Sequence, residues 1–172
     1  MKKVLVLDLD ETLVHYNNRY ESIEVRPYVK VFLKTVSECF DEIVIFTAAA
    51  KDYADIAIGL LERISGIEIS RRYYRDSCML TQSGVVKDLR MLGEPATSRV
   101  LLLDNTPSSY SLQPQCGVAI RDFRGDPFDD ELINAAERLC QRVALINKVV
   151  ARQRSYSHDL KRIAFGDRNC NG

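Results

Sequence analysis

Two acids with one leucine between them, Asp8 and Asp10, close the aliphatic run Val4, Leu5, Val6, Leu7 in KKVLVLDLDETLVH (residues 2–15). In an extended chain, residues two apart point the same way, so these carboxylates share one side. At about 4 Å and an effective dielectric near 20, like charges repel by roughly 4 kcal/mol. A divalent cation between them offsets that repulsion, and hard carboxylate oxygens suit magnesium. Other oxygen-bearing residues follow apolar runs: Thr47 ends EIVIFT, and Asp104 with Asn105 ends RVLLLDN. Each is ordinary alone, because an acid after a strand is more often a turn former or a helix cap. Together they fall where open α/β sheets bind ligands, beyond the carboxyl ends of the strands.

The elements that must position them follow from periodicity. KKVLVLD (2–8), EIVIFT (42–47), RVLLLDN (99–105) and GVAI (117–120) are continuous apolar runs without alternation, which suits strands buried on both faces of a parallel sheet. Between them, Val29, Phe32, Leu33, Val36 and Phe40 keep the helical period after Pro27. Tyr53, Ile56, Ala57, Leu60, Leu61 and Ile64 form a second stripe behind Asp52, a candidate N-cap. A third helix, from about Asp129 to about Val150, turns Leu132, Ala136, Leu139, Val143 and Ile146 inward. Strand and helix in alternation predict an α/β fold with a doubly wound, mostly parallel sheet flanked by helices. GIEISRRYYRDSCMLTQSGVVKD (66–88) breaks the rhythm and reads as a small β insertion with a hairpin turn at QSG, on the edge or top of the sheet. Residues 1–150 are expected to form one domain, and 151–172 a basic tail or frayed helix end.

Composition narrows the classes. The chain's 172 residues can bury a core of their own. Its 24 Lys plus Arg balance 24 Asp plus Glu, so net charge favours neither nucleic acid nor an acidic membrane surface. The apolar run after MKK is too short for a signal-peptide core or a membrane span. The five cysteines (Cys39, Cys78, Cys116, Cys140, Cys170) are scattered without a C-x-x-C pair, which predicts reduced thiols in a nuclear or cytoplasmic protein.

DLDET (8–12) resembles the D-x-D-x-T signature of the haloacid dehalogenase superfamily. LDLDETLVH, RPYVKVFL, FTAAAKDYAD, RDSC, VVKDL and LLLDNTPSSYSLQPQ resemble, in order, the phosphatases of the FCP/SCP type, which act on the phosphorylated C-terminal domain of RNA polymerase II and related phosphoproteins. The resemblance runs from about Val4 to about Val143. It implies that Asp8 is the nucleophile, forming an aspartyl-phosphate, and that Asp10 protonates the leaving oxygen and then activates water. It further implies that Thr47 binds the phosphoryl oxygens and that Lys87 supplies positive charge opposite Mg²⁺. The metal falls to Asp8, Asp10 through its main-chain carbonyl, Asn105, and Asp104 of the same acidic signature. Thr12 is placed at the substrate side of the loop, with bracing of that loop its more direct role. Outside the motif, Lys87 would read as a solvated surface residue. Arg71 and Arg72 read as a solvated basic face, and Arg75 as a candidate substrate contact. His15, with no partner in the sequence, reads as structural.

Substrate size follows from what is missing. The interval from Thr12 to Ile43 must hold a helix, and that before Lys87 holds one helix and the small insertion, so no large cap domain fits. An open cleft admits a phosphorylated side chain on a protein. HYNNRYESIEV (15–25) offers Tyr16, Tyr20, Ile23 and Val25 for an apolar substrate pocket, yet it is shorter and less apolar than the segment in relatives that grip proline-rich phosphopeptides. The expectation is a monomeric, Mg²⁺-dependent phosphoserine/phosphothreonine phosphatase, with the polymerase tail one candidate substrate. A small-metabolite phosphatase and a non-catalytic protein-binding module are the alternatives.

Overall fold

The computed structural model describes residues 2–82, 84–93 and 99–165. The elements are β1 (Val4–Leu7), β2 (Val14–Asn17), β3 (Ser22–Val25), α1 (Val29–Cys39), β4 (Glu42–Phe46), α2 (Lys51–Ser65), β5 (Arg71–Tyr73), β6 (Met79–Thr81), β7 (Gly84–Val86), β8 (Val100–Asp104), β9 (Gly117–Ala119) and α3 (Glu131–Phe165), with single 3-10 turns between some of them. β1 is the middle of a five-stranded parallel sheet ordered β5-β4-β1-β8-β9. Its side chains alternate between two cores. Leu5 and Leu7 join Ile43, Ile45, Leu101 and Leu103 beneath α1, α2 and α3, while Val4 and Val6 join Val44, Phe46, Val100 and Leu102 on the other face. That face is covered by Leu89, Leu92 and Cys116 from 3-10 turns. Burial on both sides is why the runs lack alternation. Each β1 side chain contributes roughly 1.5–3 kcal/mol by burial, so the strand outweighs the repulsion between the acids that follow it.

Register then sets the site. Leu7 lies opposite Ile45 on β4 and Leu103 on β8, so Asp8 emerges beside Asp104, one step before the level of Thr47.

Several expectations need correction. The N-cap of α2 is Ala50, and Asp52 sits in the first turn, without a side-chain cap bond. The buried stripe of α2 is Ala54, Ala57, Ile58, Leu61 and Ser65, whereas Ile56 is exposed. The insertion divides in two: β5 completes the sheet edge beside β4, and β6 with β7 forms a separate hairpin. Ser83, in the expected QSG turn, lies outside the described residues. HYNNRYESIEV is the β2–β3 hairpin, and its Ile23 and Val25 pack on the core instead of lining a pocket. α3 continues to Phe165, past the expected end near Val150. Cys39 and Cys140 are joined in a disulfide between α1 and α3, against the expectation of reduced thiols. With the partners 101 positions apart, spacing alone carried no sign of it. Cys170 and the side chain of His158 lie outside the described residues.

Candidate active site

The loop after β1 turns back on itself. The amides of Thr12, Leu13 and Val14 all donate to the carbonyl of Leu9, and Glu11 takes φ 60°, a left-handed conformation that a non-glycine residue adopts at some cost. This turn carries Asp8 and Asp10 into one cleft with the ends of β4 and β8.

Lys87 is the centre of charge. It is 2% exposed, and its Nζ donates to Asp8 Oδ1 at 2.5 Å and to Asp104 Oδ2 at 2.6 Å. Burial pulls its pKa down, but the two carboxylates outweigh burial and raise it, so the ammonium is retained. The other oxygens are also held: Thr12 Oγ1 donates to Asp8 Oδ2 at 2.8 Å, and Asp104 Oδ1 accepts from the Thr106 amide at 2.8 Å.

Asp10 stands differently. Burial, with the Asp8 charge behind it, raises its pKa against the opposing bond from Tyr53, whose hydroxyl donates to Asp10 Oδ1 at 2.7 Å. The Tyr53 phenol is itself raised, by burial and by that carboxylate, so it remains a donor. Thr47 Oγ1 lies 3.5 Å from Asp10 Oδ2 and accepts from the Ala49 amide at 3.0 Å.

Asp8, Asp10, Glu11, Lys87, Asp104 and Asn105 line a cleft of about 500 Å³. The β6–β7 hairpin adds Gly84 and Val85. Across Asp10 and Ala48 the cleft meets a second cavity of about 400 Å³, walled by Tyr16, Tyr53, Arg75 and the Ala48–Ala50 backbone turn. The Arg75 Nε donates to the Ala48 carbonyl at 2.8 Å, which holds the guanidinium at this rim.

A divalent cation fits the donors. Thr12 Oγ1 donates towards Asp8 Oδ2 at 2.8 Å and Asn105 Oδ1 at 3.2 Å, which brings these two hard oxygens close together in the cleft. Four carboxylates (Asp8, Asp10, Glu11 and Asp104) against one ammonium along the cleft leave negative charge for the ion to balance. Among the described residues no three His, Cys, Asp or Glu side chains form a ready ligand cluster. That suits magnesium, which commonly takes one or two carboxylates and completes its shell with water and substrate oxygens.

The structure thus brings Asp8, Asp10, Thr47, Lys87, Asp104 and Asn105 together and sets Arg75 beside them. It does not bring Tyr20, which sits at the tip of the β2–β3 hairpin, 66% exposed and outside both cavities. Thr12 is fully buried behind Asp8, which makes it a brace and removes it from substrate contact. Asp104 accepts from Lys87 at Oδ2 and from the Thr106 amide at Oδ1, which ties it to the lysine. His15 bonds the Glu11 carboxylate at 3.1 Å and meets Phe123 edge-on, and Arg71 and Arg72 are paired to Glu42 and Glu62. Sequence reasoning missed Tyr53 as a partner of Asp10, treating it as core. Its polar hydroxyl inside FTAAAKDYAD was the available signal.

Residues 3–150 match the family model described as NLI interacting factor-like phosphatase. Nuclear envelope morphology protein 1 of Schizosaccharomyces pombe is 37% identical over 153 residues, 77% of this chain and 32% of that protein. The Homo sapiens carboxy-terminal domain RNA polymerase II polypeptide A small phosphatase 2 is 38% identical over 148 residues, 76% of this chain and 53% of that protein. The chain therefore spans from 32% to 53% of the length of these relatives. In fold it is similar to fission yeast RNA polymerase II CTD phosphatase Fcp1 bound to beryllium fluoride, with a TM-score of 0.58 at 20% identity, over 91% of this chain and 57% of that one. A family model that matches nearly the whole described chain, on a parallel sheet with the acidic loop at its strand ends, makes this chain a member of the NLI interacting factor-like (FCP1-homology) phosphatases.

Proposed function

We propose that the chain hydrolyses phosphoserine or phosphothreonine in proteins, through a phosphorylated Asp8 and with Mg²⁺ as cofactor. The observation that carries this reading is the buried Lys87 ammonium shared between Asp8 and Asp104, with a less acidic Asp10 two residues beyond. Asp8 attacks phosphorus; an O–P bond forms to its carboxylate as the ester O–P bond breaks, and Asp10 gives its proton to the departing oxygen. Asp10, now ionised, takes a proton from water as that water attacks the same phosphorus, which frees phosphate and restores Asp8. Lys87 holds positive charge where the phosphoryl charge gathers, and the Thr47 hydroxyl, beside Asp10, would bind a phosphoryl oxygen. Asp8, Asn105 and the Asp10 carbonyl would hold Mg²⁺, which would supply the positive charge that offsets the repulsion between a carboxylate and a phosphate dianion.

A protein substrate is favoured by the cleft's rim. It is formed by a short hairpin, with no cap domain among the described residues, and it continues into the Tyr16–Tyr53 cavity where the leaving-group side of a bulky ester can lie. The human relative's name refers to the polymerase C-terminal domain and the fission yeast relative's to the nuclear envelope, which makes nuclear phosphoproteins the first substrates to assay.

Wild type, Asp8→Asn and Asp10→Asn are compared on an aryl phosphate with Mg²⁺ and with chelator, then on phosphopeptides, sugar phosphates and nucleotides. Asp8→Asn is expected to be inactive. Asp10→Asn is expected to lose more on phosphopeptides than on the aryl ester, whose leaving group needs little protonation. Full activity of Asp8→Asn, or a preference for sugar phosphates, would reject this reading.

A further inference from the structure

Arg26 is the largest fully buried side chain, 1% exposed, and nothing in the chemistry above uses it. Its guanidinium makes four bonds. Nε and Nη2 grip Asp129 Oδ1 and Oδ2 at 2.7 and 2.8 Å, and Nη1 donates to the carbonyls of Thr12 and Arg121, both at 3.0 Å. Phe123 lies across it, 5.4 Å from ring centre to guanidinium. A buried ion pair is weak evidence for stability, since apolar replacements are often equally stable. What such a fork supplies is direction, because its donors are fixed in one plane.

The directions converge on the site. Thr12, held at its carbonyl, presents its hydroxyl to Asp8 Oδ2 and Asn105 Oδ1. Arg121, held at its carbonyl, precedes Asp122, whose Oδ1 accepts from Asn105 Nδ2 at 3.0 Å. The amide of Phe123 donates to the Glu11 carbonyl at 2.7 Å and ties the same two segments a second time. Asn105 is therefore oriented from both ends by residues that Arg26 holds in place. Asp129 is itself fixed, since its Oδ1 also accepts from the Glu131 amide at the start of α3.

We propose that the Arg26–Asp129 pair is a positioning device for phosphoryl transfer: it clamps the Asp8–Thr12 loop to the segment after β9 and so sets the distance and orientation of Asp8 and Asn105. This rests on the phosphatase reading above. Arg26→Lys keeps the charge and loses the fork, and Asp129→Asn keeps an oxygen acceptor and loses the anion. Val143→Ala, in the α3 core, serves as a control for lost stability alone.

In the full 172-residue chain, Mg²⁺ affinity is read by calorimetry. Inhibition of aryl phosphate hydrolysis is read with orthovanadate, which mimics the five-coordinate transition state, and with inorganic phosphate, which mimics the ground state. Arg26→Lys is expected to weaken Mg²⁺ binding about tenfold and vanadate inhibition by a similar factor, with inhibition by phosphate and KM moved less than about twofold. Asp129→Asn is expected to shift both the same way, by less. Val143→Ala should lower Tm and leave the vanadate-to-phosphate ratio alone, because loss of folded protein changes the amount of enzyme and not its selectivity. The proposal is overturned if both clamp variants keep the wild-type ratio and Mg²⁺ affinity, or if Val143→Ala reproduces their change. Should Arg26→Lys fail to fold, Asp129→Asn decides. Absence of Mg²⁺-dependent phosphatase activity in wild type would reject the phosphatase reading, while calorimetry would still report on the clamp.

Discussion

The two walls of the cleft are built on different terms. On one side, Asp8, Thr12, Lys87 and Asp104 are at most 6% exposed and their polar atoms bond one another. On the other, the β6–β7 hairpin leaves Leu80 86% exposed, Tyr16 is exposed, and the Arg75 side chain donates to the Ala48 carbonyl at the rim. The difference separates chemistry from recognition. Charge that must meet a transition state needs fixed dipoles in a dry place, whereas a surface that receives a polypeptide can adapt as it binds.

The strongest way to break the comparison is at the closed wall. Lys87→Met leaves Asp8 and Asp104 facing each other without a cation. We expect kcat on an aryl phosphate to fall by about a thousandfold and stability by about 3–5 kcal/mol, read by steady-state kinetics and urea unfolding. A fall in activity without a fall in stability would mean that Lys87 is less committed to the fold than its two bonds imply. Tyr53→Phe removes one donor to Asp10 and keeps the ring against Tyr16. It should lower kcat by about tenfold or less, with little change in KM. At the open wall, Arg75→Ala should raise KM for acidic phosphopeptides about two- to fivefold and leave the aryl phosphate untouched. Equal losses on both substrates would move Arg75 to the closed wall.

The smallest effect concerns the segment behind Lys87. Asp88 accepts from the Arg90 side chain and amide and from Gln113, and these bonds, the arginine foremost, hold its pKa down to about 2. A depressed carboxylate contributes stability that is present above its unfolded value of about 3.9 and disappears as pH falls towards the folded value. The Tm gap between wild type and Asp88→Asn should therefore be open at neutral pH and close as pH falls from about 4 towards 2, measured by thermal melts across that range.

Much of this site was legible in the chain. DLDET, Thr47 and the Asp104–Asn105 pair were visible because polar residues that end apolar runs of a parallel sheet meet beyond the carboxyl ends of its strands, whereas Lys87, which follows a strand of the separate hairpin, was visible only through the resemblance of VVKDL. The roles of Thr12, Tyr20 and Asp104 were less legible. Each has the right chemistry for substrate or metal, and only the folded neighbours show which partner Thr12 braces, that Tyr20 sits at a hairpin tip outside the cavities, and that Asp104 is bonded to Lys87.

What the sequence determined alone is local: where the strands stop, which helices have an apolar face, and that acids follow β1 and β8. These follow from periodicity and from residue types within a few positions of one another. Tertiary structure decided what joins residues far apart: the Cys39–Cys140 bridge, the Tyr53–Asp10 bond, and an arginine at 26 meeting an aspartate at 129. No pattern within a short window encodes such pairs, because their partners are chosen by how α2, α3 and the sheet pack, and packing sums over the whole chain.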